Sequence, residues 1–211
     1  MTDHHIYFFV SVLVILSFVS FSVYVFLQSP DPSISGMATS GTVTANFTVS
    51  SSTSIIFRNN SIDFGAGTIN DTSSGTDNCT MDTVGGRTNA TCATFVQQGS
   101  GFKVENNGNV NATLSASFDK AAVAFLGSSG DNTPVFTMKV SNSEASSCAN
   151  LNGTFTGYAN VPTAATIVCN TTTFDFADTR DLFLIDVNIS LPEDIPGGAK
   201  TTTLTVTATN P

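Results

Sequence analysis

The stretch LFLIDVNISL, residues 182–191, decides the fold class of this chain. Its apolar side chains at Phe183, Ile185 and Val187 occupy alternate positions, and Asn188 falls on the opposite face. Successive side chains of a β-strand point to opposite faces, so this period of two predicts a strand with one face in a core and one in water. Such half-buried strands are typical of antiparallel sheets.

The same alternation recurs along the chain beyond residue 40, where we find no convincing helical period. The predicted strands span residues 42–49, 54–58, 61–64, 94–97, 102–105, 110–118, 121–126, 135–140, 154–158, 166–169, 182–191 and 203–209. Many short strands separated by turn signals predict an all-β fold, an antiparallel β-sandwich or jelly-roll-like domain over residues 41–211. Phenylalanines at inward parity are expected in its core: Phe47, Phe57, Phe64, Phe102, Phe118, Phe136 and Phe183.

A long apolar run precedes this domain. It begins at Ile6, ends at Leu27 and contains no charge, Pro or Gly. As a helix its 22 residues would reach about 33 Å, enough to cross a bilayer core of about 30 Å. We therefore predict an N-terminal hydrophobic α-helix over residues 1–28, a membrane anchor or filament core, followed by a hinge over residues 29–40 that Pro30 opens. A retained helix is favoured because signal peptides have shorter apolar runs, and cleavage after Ala38 is the alternative.

Charge and histidine content exclude several function classes. The chain has a formal net charge of -9, with 7 basic residues, so it lacks the basic patch that a nucleic-acid-binding surface needs. Its only histidines are His4 and His5, which precede the apolar run. This excludes most histidine-dependent catalysis and zinc binding in the β-domain. We expect no enzyme activity and no cofactor.

Four cysteines, Cys79, Cys92, Cys148 and Cys169, follow the apolar run without metal-site spacing. They predict two disulfides in an oxidising, extracytoplasmic compartment. Three connectivities are open, of which we favour the local pairs Cys79 with Cys92 and Cys148 with Cys169. Free buried cysteines are the alternative.

Nine Asn-x-Ser/Thr sequons predict N-linked glycans on an extracellular domain. The sequon asparagines are Asn46, Asn59, Asn70, Asn78, Asn89, Asn111, Asn152, Asn170 and Asn188. Strand parity places Asn46, Asn111 and Asn188 on the wet face, where a glycan must point. The alternative is that these Asn-Thr pairs are polar strand residues without sugar.

An acidic loop precedes the strand at residues 182–191. Asp175, Asp178 and Asp181 recur at every third position of FDFADTRD. Oxygen-rich loops can hold Ca²⁺, but the D-x-D-x-D-G pattern is missing, so we expect a solvated loop rather than a calcium site.

The order of parts resembles archaeal pilins, archaellins and related surface filament proteins. The runs that carry this resemblance are SIDFGAGTI (61–69), FKVENNGNVNATLSASF (102–118) and the final LTVTAT (204–209). The resemblance implies that residues 6–27 span the membrane once before assembly and then bundle with their copies as a filament core. The glycosylated β-domains would form the outer sheath of this homopolymer.

Two functions of different classes are therefore expected. The first is a structural subunit of an extracellular cell-surface filament, favoured because few charges protect the strand edges against pairing. The alternative is a membrane-tethered monomeric adhesin or surface-coat protein, which would explain the same anchor and glycans without polymerisation.

Overall fold

The computed structural model describes residues 47–70, 78–87, 91–127 and 133–210. It divides the chain into two units, Met1–Thr48 and Val49–Pro211, and the second contains the strands. These described residues form antiparallel sheets with very little helix, so the all-β prediction is confirmed. The predicted N-terminal helix lies outside them, and within them no helix is long and apolar enough to span a membrane.

Eleven strands are present in the described part of the chain. In chain order they are β1 (Ile55–Asn59), β2 (Thr68–Ile69), β3 (Asn78–Asp82), β4 (Cys92–Ala93), β5 (Phe102–Asn106), β6 (Ala112–Phe118), β7 (Val135–Asn142), β8 (Ala159–Asn160), β9 (Thr166–Phe174), β10 (Leu182–Pro192) and β11 (Leu204–Thr209). The larger sheet has the order β1-β5-β10-β7-β8, with β3 also paired to β10, and we call it the first sheet. The second sheet has the order β11-β6-β9, and β2 pairs only with β4.

The two main sheets share one hydrophobic core. Phe118 of the second sheet and Phe136 of the first stack edge to face, with ring centroids 4.8 Å apart. Phe174 and Phe183 make the same kind of contact at 5.9 Å. Aromatic side chains that bury their area and meet edge to face are strong stabilisers of such a core. This arrangement fits the predicted β-sandwich.

Strand β10 is the centre of the first sheet. It pairs with β7 along one side and, along the other, with β5 through its first residues and with β3 through its last. Its inward side chains at Phe183, Ile185, Val187 and Ile189 are all buried, as their alternation predicts. Asn188 lies on the opposite face and is half-buried.

Two predicted strands are wrong because the chain turns helical there. Residues 121–126 contain α1 (Ala122–Leu126), where the N–H of Phe125 donates to the carbonyl of Ala121 at 2.9 Å. Alanine favours helix, and α1 ends at Gly127, whose φ of 104° suits glycine. Residues 154–158 overlap a 3₁₀ helix, Gly153–Phe155, which starts because the Asn152 side chain accepts the N–H of Thr154.

Three other predicted strands are not formed in the described residues. Residues 61–64 and 94–97 run close together without a ladder, joined by the bond from the N–H of Val96 to the carbonyl of Phe64 (2.7 Å). Residues 47–49, the described end of the predicted strand 42–49, are not in a strand, and residues 42–46 lie outside the described residues. Conversely, β3 was missed, because Cys79 and Met81 are its only inward apolar side chains.

The inward-phenylalanine prediction holds in the middle of the sheets and is wrong at their margin. Phe118, Phe136 and Phe183 are buried, and Phe64 and Phe102 are partly buried against the core. Phe57 on edge strand β1 is 37% exposed and Phe47 is 85% exposed. Inward parity buries a side chain only where a neighbouring strand covers it.

Both disulfides link residues that are close in sequence. Cys79 bonds Cys92 and so ties β3 to β4, and Cys148 bonds Cys169 and so ties the loop after β7 to β9. This is the local pairing that the sequence favoured, and all four cysteines are buried. Each bond closes a loop that is rich in polar residues and has little apolar surface of its own.

We predict that replacing Cys148 and Cys169 together by Ala lowers the free energy of unfolding by about 3 kcal/mol, because the crosslink restricts the unfolded chain. Urea denaturation of the variant and the parent measures this loss. Peptide mapping without reduction is the control and should recover Cys148 linked to Cys169. A native peptide that links Cys92 to Cys148 would contradict the pairing.

Candidate functional site

The three aspartates of the predicted acidic loop do not converge on one point. The Asp175 carboxylate lies 3.2 Å from the Arg180 guanidinium and also accepts the N–H of Ala177. Asp178 is exposed, whereas Asp181 is 8% exposed and its backbone N–H donates to the Glu144 carboxylate. Within the described ranges no group of three or more acidic, histidine or cysteine side chains is placed to hold a metal ion.

Asp181 occupies an unfavourable environment for a charge. The carboxylate of Glu144 accepts the backbone N–H groups of Asp181 and Leu182 at 3.0 Å and 3.3 Å. Burial raises the pKa of Asp181, and the negative charges of Glu105, Glu144 and Asp178 raise this pKa further. Ionised Asp181 therefore costs the folded state free energy at neutral pH.

We predict that Asp181→Asn stabilises the domain at pH 7. The raised folded-state pKa means that the protonated carboxyl contributes stability below the unfolded pKa of about 3.9, and that this contribution is lost as pH rises through the folded pKa. The gain from the substitution should therefore shrink when unfolding is measured near pH 4. Thr179→Asn, at an exposed neighbouring position without a titratable group, is the control and should show little change with pH. A gain for Asp181→Asn of equal size at both pH values would contradict this prediction.

A second buried carboxylate lies on the face of the first sheet that points away from the core. Asp186 on β10 is 2% exposed, and its carboxylate accepts the hydroxyl of Thr83 at 2.8 Å. The same hydroxyl accepts the N–H of Val187, and the Lys139 ammonium lies 3.9 Å from the Asp186 carboxylate. Sequence reasoning missed this cluster. Its one signal was a single charge in the middle of an otherwise uncharged strand.

Tyr158 completes this polar cluster rather than forming a free platform. The Lys139 ammonium lies 5.0 Å from the centre of its ring, within the range of a cation–π contact. Burial raises the pKa of the Tyr158 hydroxyl, and the nearby carboxylates of Asp82 and Asp186 raise it further. One face of the ring is therefore occupied from within the protein.

The sequons differ in how the fold treats their side chains. Asn70, Asn78 and Asn111 are exposed, and Asn111 faces solvent as its parity predicts. Asn170 and Asn188 are half-buried. Asn46 and Asn89 lie outside the described residues.

Two sequon asparagines use their side-chain nitrogen inside the structure. The Nδ2 group of Asn59 donates to the carbonyl of Gly101 at 2.7 Å, and that of Asn152 donates to the carbonyl of Ile167 at 2.7 Å. An N-linked glycan is attached through this same nitrogen. A sugar at either position would compete with a bond that the fold already makes.

We predict higher glycan occupancy at Asn70, Asn78 and Asn111 than at Asn59 and Asn152. The exposed side chains offer a free Nδ2, whereas the other two would each give up a hydrogen bond, a loss of about 0.5–1.5 kcal/mol. Glycopeptide mass spectrometry of protein from its native source measures occupancy at each site. Higher occupancy at Asn152 than at Asn111 would contradict the prediction.

An open groove lies between the margins of the two main sheets. It has a volume of about 340 Å³, and its apolar lining comes from Phe57, Ile62, Phe102 and Leu204. These side chains belong to or adjoin β1 and β5 in the first sheet and β11 in the second. The groove therefore marks a side of the domain where the core is incompletely covered.

The strand edges of the two main sheets differ in their protection. Edge strand β1 carries Arg58, which forms an ion pair with Glu105, and has an irregular register between Phe57 and Asn59. Edge strand β8 has only two residues, and β9 pairs irregularly and contains left-handed backbone at Thr171 and Thr172. Charges, irregularities and short length are the devices that prevent edge-to-edge pairing.

Strand β11 has none of these devices. Its six residues, LTVTAT, carry no charge and no proline, and they pair with β6 in an unbroken register from Leu204 to Thr209. Inward-facing Leu204, Val206 and Ala208 remain half-buried, because β11 is the last strand of its sheet. The free edge of β11 and the adjoining groove are the candidate functional surface of the described residues.

Comparisons with known proteins give no relative for this surface or this fold. No protein-family model matches the chain, and no curated protein or solved structure is significantly similar to it. The function has to be argued from the chain itself.

Proposed function

We propose that this protein is a structural subunit of an extracellular cell-surface filament. Residues 6–27 would form an apolar helix that spans the membrane before assembly and packs against its copies in the filament core afterwards. The domain that begins near residue 41 would be the outer layer, a glycosylated β-sandwich. The two disulfides support an oxidising compartment, because such bonds persist outside the cytosol.

The observation that carries this proposal is the unprotected edge of β11. A long, regular and uncharged edge is a liability for a protein that works alone, because it offers unpaired backbone groups to any other strand. It suits a protein that meets further copies of itself. The β1, β8 and β9 edges each carry a charge, an irregular register or a short length, so by contrast the β11 edge has the character of an assembly site.

The alternative is a tethered monomeric adhesin or surface-coat protein. Such a protein would need a ligand-binding surface, and exposed aromatic platforms and metal-held loops are common examples. Tyr158 is engaged with Lys139, and Asp175 is engaged with Arg180. These contacts favour the filament subunit over the adhesin.

Electron microscopy of material sheared from cells tests this function. Regular filaments that contain this protein, identified by mass spectrometry, would support the subunit. A protein found only in the membrane fraction, with no regular polymer, would favour the adhesin.

We predict that Val14→Asp abolishes filaments. The charge would lie in the middle of residues 6–27, where a packed apolar helix bundle offers it neither water nor an opposite charge. Val14→Leu, which keeps the site apolar, is the matched control and should assemble. Filament counts by electron microscopy, with immunoblots of the membrane fraction to show that both variants are made, give the result. Filaments of Val14→Asp as abundant as those of the control would show that the helix is not the core.

A further inference from the structure

We propose that the edge of β11 with which no described strand pairs binds residues 42–49 of a second copy of this chain as an added strand. This inference rests on the proposed function and names the contact between β-domains that such a filament would use. It concerns one surface, the edge of β11 with the adjoining groove, and one occupant, the uncharged segment TVTANFTV.

The backbone of β11 is ready to accept a strand. The N–H of Asp119 donates to the carbonyl of Thr203 at 3.0 Å, at the point where β11 begins to pair with β6. Bonded and non-bonded pairs alternate along an antiparallel ladder, so Thr205 and Thr207 direct their backbone groups to β6. Val206 and Ala208 therefore direct theirs to the free edge.

The inward side chains at this edge are incompletely covered by the residues that the structure describes. Leu204, Val206 and Ala208 face the core but stay half-buried. The groove beside Leu204 is walled on its other side by Phe57, which is 37% exposed. An additional strand with apolar side chains at every second position would bury this row.

Residues 42–49 have that pattern, with apolar Val43, Ala45, Phe47 and Val49 separated by polar residues. Two of these apolar residues lie in the described part of the chain, and both are exposed, Phe47 by 85% and Val49 by 70%. Just beyond residues 42–49 the chain is held, since the N–H of Asn109 donates to the carbonyl of Ser52 and the Asn109 side chain to that of Ser50.

A second copy is the source that these exposures favour. A strand added to β11 would bury its inward side chains, whereas Val49 of the single chain is 70% exposed. Each copy thus offers one donor segment and one acceptor edge. Such a head-to-tail contact does not use up both partners, so it can propagate into a fibre.

Strand addition also explains how two uncharged surfaces, residues 42–49 and the β11 edge, could bind each other specifically. Main-chain hydrogen bonds supply affinity in this mode of recognition, and alternate side-chain pockets supply specificity. Neither the segment nor β11 carries a charge, so burial of the contact leaves no unpaired ion.

The test uses full-length Phe47→Asp protein in detergent, whose own donor segment is disabled, and a fluorescent peptide of residues 41–50, GTVTANFTVS. We expect saturable binding in fluorescence anisotropy. A peptide with Phe47→Asp should bind at least about tenfold more weakly, because the charge would enter the apolar row. A peptide with Thr44→Asp carries the same charge on the opposite face and should bind like the parent.

The acceptor edge is tested by adding Ala208→Pro, which removes an edge-facing N–H without removing a bond to β6. Peptide binding should be lost while the thermal unfolding midpoint stays within a few degrees. If the proline variant is unstable, the comparison of the two charged peptides still tests the inference. Equal binding of those two peptides, or no saturable binding of the parent peptide, would overturn the inference.

Electron microscopy separates this inference from the proposed function. With the full-length chain, Phe47→Asp should remove filaments and Thr44→Asp, which also leaves the Asn46 sequon intact, should keep them. Equal filaments from both variants would overturn the strand-addition inference and leave the filament subunit standing. An absence of filaments from the parent chain would contradict the proposed function, and the peptide measurements would still judge the β11 edge.

Discussion

Burial of one face of β10 is the interaction on which the rest of the domain depends. Phe183 and Ile185 are completely buried, and a large apolar side chain contributes about 1.5–3 kcal/mol when it is fully buried. Because β3, β5 and β7 all pair with this strand, its position sets the register of the first sheet. Phe183 then contacts Phe174, so the second sheet is positioned by the same face.

Strands with a complete apolar face could be predicted from the sequence, and elements without one could not. β6, β10 and β11 alternate over six residues or more, and each was found with nearly correct ends. β3 has too few apolar positions to be recognised and depends on β10 and on the bond from Cys79 to Cys92. At residues 121–126 the alternation is misleading, since local helix propensity decides the structure of a segment with which none of the described strands pairs.

The polar clusters show the same division. The sequence predicts an acidic loop at Asp175 and Asp181. It does not predict that Asp175 pairs with Arg180 or that the backbone N–H of Asp181 donates to Glu144. Asp186 was overlooked because its partners, Thr83 and Lys139, come from strands and turns far away in sequence. Parity also assigns Asn111 correctly. It does not describe the bond from Asn59 to Gly101, just before β5, or the bond from Asn152 to Ile167 of β9.

The unequal protection of the edges is the feature of this architecture that bears on the proposed assembly. Charges and irregularities on an edge strand act against pairing with unwanted partners, and the fold itself does not require them. Here β1 carries an arginine and a register irregularity, while β11 carries neither over its whole length. A general lack of surface charge would have left both edges equally open. The contrast between them fits the proposed filament, in which the next copy would be the partner of β11.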